Sequence, residues 1–386
     1  MARILVMKPA GLATADGVQS PFVGDAEGSV GSFYNIGDLY VYDSSLRILK
    51  HDVVEPLNIT EVSDERIAHY NANFDYVFLR GSNYINPNAT WERASEVIER
   101  LKIPVIAFGL GVQLLKDDDL RLNEGTTRIL QQIAAKSGSI GVRGALSVKV
   151  LNAIGIKNVR VIGCPTVFRH LQPTRRIEKA PFDALRKVGF TLRRKTPRSR
   201  VFQRYVMQYL ARRYEMSVIC AGEQEEKTIF YAARGWIRDA GPRIRAAAAA
   251  LVESGWFWDE NDPLLETYRR SLFFAESVRE YDAKLAQQDL VLGYRLHGNL
   301  LALANETPAL YLTYDTRTRE FVDTFKIPNF DVLKGEDFHF RKFYEAADFA
   351  PFERAYAHQY GELRAFLDEN CLAHNLAPAP AAASAA

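Results

Sequence analysis

Cysteine is scarce: the 386-residue chain has three, and Cys164, Cys220 and Cys371 stand far apart, with no CxxC or metal-ligand spacing. Disulfide and zinc frameworks are therefore excluded, and a reducing cytoplasm is the expected setting. Long apolar runs are missing as well. No stretch approaches the roughly 20 residues that span a bilayer, and the run in Met1 to Lys8 is too short for a signal peptide and suits a first core strand. An excess of one charge is missing too. A net charge of +2 implies no nucleic-acid partner. The chain shows no short internal repeat.

What is present is an alternation of short apolar runs with helical periodicity. Ile4–Met7, Tyr76–Leu79, Ile103–Phe108, Ser139–Val142 and Val159–Ile162 read as strands separated by helices, which predicts βαβ units and a parallel sheet. Lys187–Leu192, Met216–Ala221, Leu272–Ala275, Leu290–Leu292 and Ala309–Leu312 repeat the pattern. The expected fold class is α/β, with two Rossmann-like domains facing each other across a cleft. Residues 1–170 form the first domain, 171–181 the Pro- and charge-rich linker, and 182–348 the second. Residues 349–386 hold a terminal helix and an Ala/Pro tail from Ala377 onward that is expected to be disordered.

Some segments read less regularly. Pro9 to Ser32 reads as a long loop, and Glu225 to Tyr268 as an irregular helical insertion. The helix from Val201 to Tyr214 is basic, with Arg198, Arg200, Arg204, Arg212 and Arg213 in and before it. Such a run is ordinarily a solvated face, the other reading being contact with an acidic membrane surface.

Candidate chemistry lies at strand ends, because ligands of open parallel sheets bind at the carboxyl ends of strands. The stretch Asp289 to Gly298 runs from an apolar strand through Arg295 and His297 into a helix, whose N-terminus favours an anion beside Gly298. If strand geometry persists to its end, residues 295 and 297 project to one side. Arg193, Gly222 with Glu223, and Asp315 stand at the ends of neighbouring runs. Arginine holds carboxylate or phosphate through two parallel N–H bonds. This set therefore describes a site for a small, multiply charged anion. Glu223 and Asp315 also fit as helix caps or arginine partners. In the first half, Arg143 ends one strand, and Gly109 to Gln113 forms a turn whose Gly111 leaves backbone N–H groups to meet a ligand. That turn is no GxGxxG fingerprint and lacks the P-loop lysine. Asn35, Gly37 and Asp38 open a helix, with Asp38 as its N-cap and Gly37 allowing close backbone approach.

Asn35-Ile-Gly-Asp38, Phe108-Gly-Leu-Gly-Val112, Ile140-Gly-Val-Arg-Gly144, Gly189-Phe-Thr-Leu-Arg193, Gly293-Tyr-Arg-Leu-His-Gly298 and Pro308-Ala-Leu-Tyr-Leu-Thr-Tyr-Asp315 resemble, in order, the polysaccharide pyruvyl transferases. The resemblance implies a GT-B-like fold, phosphoenolpyruvate as donor substrate and a sugar or lipid-linked oligosaccharide diol as acceptor. It implies a pyruvate ketal in a bacterial cell-surface or exopolysaccharide as product, with no further cofactor. Arg193 and Arg295 match donor-binding positions and His297 the proposed catalytic histidine, the proton donor to the enol carbon or an aid to phosphate departure. Asn35 and Asp38 would face the acceptor, Asp38 as candidate base. Two other readings fit such a fold. One is a nucleotide-sugar glycosyltransferase with Glu223 as its ribose carboxylate; the other is a silent glycan-binding protein, for which the anion site should be disabled.

Overall fold

The computed structural model describes residues 2–32, 35–60, 63–113, 120–196, 199–334 and 337–378. The apolar runs become strands buried on both faces, as parallel sheets covered by helices require; Tyr76–Arg80, Leu290–Gly293 and Ala309–Thr313 are buried at every position. In the first half these are β1 (Ala2–Met7), the short pair β2 (Leu12–Thr14) and β3 (Gly17–Gln19), β4 (His51–Pro56), β5 (Tyr76–Arg80), β6 (Val105–Leu110), β7 (Ile140–Val142) and β8 (Val159–Val161). The second half holds β9 (Lys187–Thr191), β10 (Glu215–Ile219), β11 (Leu272–Phe273), β12 (Leu290–Gly293), β13 (Ala309–Thr313) and β14 (Asn329–Asp331).

Two six-stranded parallel sheets result, ordered β4-β1-β5-β6-β7-β8 and β11-β10-β9-β12-β13-β14. Each has one point where the order of winding reverses, between β1 and β5 in the first sheet and between β9 and β12 in the second. Ligands of doubly wound sheets bind in the crevice outside the strand ends at that point. The two halves face each other across a cleft, residues of both lining one cavity, and the last helix, Ala350–Glu369, returns to the first. There Phe366 stacks on Phe108 at 5.6 Å, and Arg160 of β8 pairs with Glu362 at 2.5 Å and with Glu369. At the interface the fully buried Arg169 joins Asp43 of the first half, at 3.0 Å, to Asp282 of the second. A guanidinium so deeply buried is tolerated only with charged partners on both sides.

Several sequence expectations need correction. Pro9 to Ser32 is no structureless loop: β2 and β3 pair as an antiparallel hairpin, and Ala26–Gly31 is helical. Its residues order because they pack on the second half, where the backbone N–H of Ser20 donates to the Glu276 carbonyl at 2.7 Å. Glu225 to Tyr268 is regular, with helices Gln224–Ala233, Ala240–Glu253 and Pro263–Ser271 in the crossover from β10 to β11. The basic helix is Arg200–Ala211, and its charges do not share one solvated face. Arg204 turns inward to pair with Asp262 at 2.6 Å under the Trp258 ring. Arg198, Phe33, Tyr34 and residues 379–386 of the tail lie outside the described residues. Ala377, placed in the tail, is held: its N–H donates to the Leu171 carbonyl at 2.9 Å and its own carbonyl accepts from Tyr360 at 2.9 Å. Among the described residues no helix is long and apolar enough to cross a membrane.

Candidate active site

The reversal point of the second sheet sets the site. Arg193 follows β9 and Arg295 follows β12, and β9 and β12 are adjacent and in register, Gly293 beside Thr191. Close approach is required there: a Cβ on Gly293, whose φ is +150°, would stand 2.5 Å from the Thr191 carbonyl oxygen. Beyond Gly293 the strand stops, and Leu296–Ala304 is helix with Arg295 as N-cap residue. Arg295 and His297 therefore meet through a strand-to-helix turn rather than through strand alternation. Both line a narrow cavity of about 90 Å³ that Asn35, Gly37, Arg143, Arg193, Tyr314 and Arg317 help enclose.

Gly37 from the first half closes on His297 from the second. A Cβ at position 37 would lie 2.6 Å from His297 Nδ1, so the missing side chain admits the imidazole rather than a ligand. Asn35, not Asp38, caps this helix, its side chain accepting from the Gly37 N–H at 3.1 Å. Asp38 instead accepts from Arg80 at 3.0 Å and faces a second chamber of about 520 Å³ between the helix and Pro9 to Leu12. Asn35 lines both spaces. Gly111 is spent on packing, since a Cβ there would come within 2.6 Å of the Arg143 side chain. That side chain is buried, donating to the Gly109 carbonyl at 3.1 Å and to Asn83 at 2.6 Å. Gly298 packs on Thr191. Gly222, with φ +126°, turns the chain so that Glu223 reaches Arg295.

Two of the sequence candidates thus serve the arginines. Glu223 pairs with Arg295 through one oxygen and accepts from the Ala221 N–H at 3.0 Å through the other. Arg295 also donates through Nε to the Leu192 carbonyl at 2.7 Å. Burial and the neighbouring Arg193 lower its pKa to about 10, which leaves it charged at neutral pH. Asp315 caps the next helix through Thr318 and holds Arg317 at 2.5 Å.

Arg193 is placed differently. It stacks over the Tyr314 ring at 5.1 Å, and its Nε is buried without a hydrogen-bond partner. The Nε2 of His297 is buried and unpartnered in the same cavity. Unpaired buried polar atoms are costly and rare in folded proteins, and two of them converge here. Among the described residues no carboxylate pairs with Arg143 or Arg193, so the cavity keeps uncompensated positive charge. The His297 pKa lies well below the usual imidazole value, first because of burial and then because Arg143, Arg80, Arg317 and Arg295 repel a proton.

Sequence reasoning passed over Arg80, Asn83, Tyr314 and Arg317. Arg80 ends β5, Asn83 follows it, and Tyr314 and Arg317 follow β13, so the rule that singled out Arg193 and Arg295 reaches them too. Arg80 stands at the reversal point of the first sheet, where its Nε donates to the Lys8 carbonyl at 2.7 Å. The two reversal points therefore face one another across the cleft.

A family model described as polysaccharide pyruvyl transferase matches residues 35–316. No curated protein matches the chain. Among solved structures, the chain is similar to a Listeria monocytogenes protein assigned as a UDP-N-acetylglucosamine 2-epimerase, at 12% identity and a TM-score of 0.44, covering 95% of this chain and 97% of that one. It is also similar to the Methanocaldococcus jannaschii UDP-GlcNAc 2-epimerase, at 15% identity and a TM-score of 0.39, covering 85% and 82%.

Proposed function

The chain belongs to the polysaccharide pyruvyl transferase family, and on that premise we propose that it transfers the enolpyruvyl group of phosphoenolpyruvate to a sugar diol as a pyruvate ketal. The observation that carries this reading is the pair of buried, unpartnered nitrogens, Arg193 Nε and His297 Nε2, in one cavity ringed by arginines. A small anion with a carboxylate and a phosphate would supply acceptors for both and balance the charge, with no further cofactor needed for that task. The nucleotide-sugar reading has weaker support, because both oxygens of the carboxylate it would use, Glu223, are engaged by Arg295 and Ala221.

In the proposed reaction the enol carbon gains a proton, one acceptor oxygen bonds to C2, phosphate departs and the second hydroxyl closes the ketal. The two hydroxyl protons balance the proton on the new methyl group and the one taken by phosphate. Arg193, Arg143 and Arg295 hold the donor and stabilise the leaving phosphate. His297 is the proton donor, and its lowered pKa constrains how. A neutral imidazole becomes an acid only when the negative donor offsets the arginines, so donor binding and protonation are linked. Asp38, fixed by Arg80, faces the acceptor in the wider chamber and takes a hydroxyl proton. The acceptor is a sugar of a cell-surface polysaccharide, its repeat unit or a lipid-linked precursor. Any peripheral membrane contact of this basic segment would fall to the exposed Arg212 and Arg213, just past the helix Arg200–Ala211, rather than to Arg204.

The direct test is incubation with phosphoenolpyruvate and a panel of sugar acceptors, following phosphate release and a ketal-linked pyruvate in the acceptor mass. Saturable binding of a nucleoside diphosphate sugar with none of phosphoenolpyruvate would overturn the proposal. Two predictions follow from the geometry. Between the low pKa of free His297 and its higher value in the complex, donor binding takes up a proton. Affinity should therefore weaken as pH rises through the bound-state value, by at most about tenfold per pH unit for one proton. Titration calorimetry in buffers of different ionisation heat measures this uptake, which His297→Gln should abolish; no uptake in the parent protein would refute the linkage. For Asp38→Asn, kcat should fall roughly 100-fold, at the low end for a general base, with phosphoenolpyruvate affinity kept. Parental turnover in that variant would remove Asp38 from the mechanism.

A further inference from the structure

A third space lies apart from the arginine cavity, a groove of about 1140 Å³ between the hairpin segment of the first half and the β11 edge of the second. Six aromatic side chains line it: Phe22, Phe230, Tyr231, Trp236, Phe273 and Phe274. Trp236 is held edge-on against Phe230 at 5.9 Å and tilted on Tyr231 at 6.0 Å, yet 58% of it is exposed. A ring fixed by two others and left open to solvent is a platform, since its orientation is already settled before anything stacks on it. Val23, 48% exposed, lies on the opposite wall.

The polar part of the lining carries both signs. Asp16, Gln19 and Glu280 stand with Arg279 and Lys284. Beneath the rings, the buried Glu276 accepts from the Tyr231 hydroxyl at 2.5 Å and from Ser29, and its second oxygen has no hydrogen-bond partner. Burial raises the pKa of this carboxyl. The cations of the lining, Arg234, Arg279 and Lys284, alternate with Asp16, Asp25 and Glu280, so the wall has neither the unbroken apolar surface that would serve an acyl chain nor the single-sign charge that would serve a polyphosphate. Flat rings beside carboxylate, amide and cationic groups suit the apolar faces and hydroxyl edges of sugar rings.

The groove also connects with the site already described. Pro9 to Leu12 and Pro21 wall the chamber that holds Asp38, and residues 14, 16–19 and 22–26 of the same segment wall the groove. One folded hairpin thus separates and joins the two spaces. We propose that this aromatic groove binds the oligosaccharide chain of the acceptor, several sugars away from the diol that reacts, with Trp236 as its stacking platform. The inference rests on the pyruvyl-transfer reading for the identity of its ligand as acceptor, and on the groove itself for the ligand's chemistry.

The test uses the full chain and a printed array of bacterial oligosaccharides from disaccharide to hexasaccharide, with titration calorimetry on those retained. Trp236→Ala, at an exposed position, and Asp16→Ala, on the opposite wall, are compared with the parent after thermal melts establish folding. Trp236→Ala is expected to weaken binding of tetra- to hexasaccharides about tenfold, Asp16→Ala less, and phosphoenolpyruvate affinity to remain parental in both. Array binding unchanged in Trp236→Ala, no oligosaccharide retained by the parent, or a groove that takes dodecyl detergent in preference to glycan would each overturn it. The array needs no turnover. Glycan binding lost with Trp236 in a protein that ignores phosphoenolpyruvate would sink the pyruvyl-transfer reading and leave the groove standing, whereas transfer indifferent to Trp236 on long acceptors would do the reverse.

Discussion

His297→Ala is expected to lower kcat by about 100- to 10,000-fold, the range for loss of a positioned general acid, in a protein that melts no lower than the parent. The second half of that expectation separates a catalytic from a structural histidine. A histidine kept for the fold would have both ring nitrogens bonded, and its removal would strand partners at a cost of about 1–3 kcal/mol. Here Nε2 has no partner, and the ring lies in the space left by Gly37 among four arginines that disfavour its charge. Removing it takes an unbonded polar atom out of the interior and strands no hydrogen-bond partner, in the way that functional positions commonly hold stability below its maximum. Steady-state kinetics with a thermal melt decides the matter. Parental kcat in the folded variant, or a marked loss of melting temperature with turnover retained, would take His297 out of the reaction.

Arg193→Met should reduce kcat/KM for phosphoenolpyruvate by about 100- to 1,000-fold, as expected when one preorganised donor to a developing charge is lost. The choice of arginine matters. Truncating Arg295 would leave the buried Glu223 without its cation, and a broken buried pair costs about 3–5 kcal/mol in stability, so an inactive Arg295 variant would say little about binding. Arg193 carries no such debt, because no described carboxylate pairs with it and its Nε is unbonded. Methionine keeps the bulk over Tyr314 and removes only charge and donors. Lysine would restore the charge without the forked geometry and should recover the donor only in part. Calorimetry with phosphoenolpyruvate provides the check, and affinity equal to the parent's in Arg193→Met would place the donor elsewhere.

Much of this was legible from residues alone. Leu290-Val-Leu292 and Ala309-Leu-Tyr-Leu312 are apolar without alternation because both faces of a parallel sheet are covered, so the α/β class follows from composition within each run. The convergence of Arg193, Arg295 and His297 was legible too, since strand ends of a parallel sheet share one edge. Sequence reasoning went astray where a residue's role depends on what lies opposite it. Asp38 looked like a cap from its spacing, yet Asn35 takes that place and Asp38 turns to Arg80. Arg204 looked solvated within a basic run, yet Asp262 draws it inward. Pro9 to Ser32 has too little periodicity to announce a hairpin, because its order comes from packing against the second half.

Local patterning by itself determined the fold class, the strand ends that carry charge and the residue types suited to a small anion, because these follow from side-chain periodicity and intrinsic chemistry. Tertiary structure alone decided the order β11-β10-β9-β12-β13-β14 that sets Arg193 beside Arg295. It also decided the closing of Gly37 on His297 and which arginines are engaged by acids and which are not. Those outcomes depend on contacts between residues remote in the chain, whose energies arise only when the strands of each sheet have paired and the two halves have met at their strand ends.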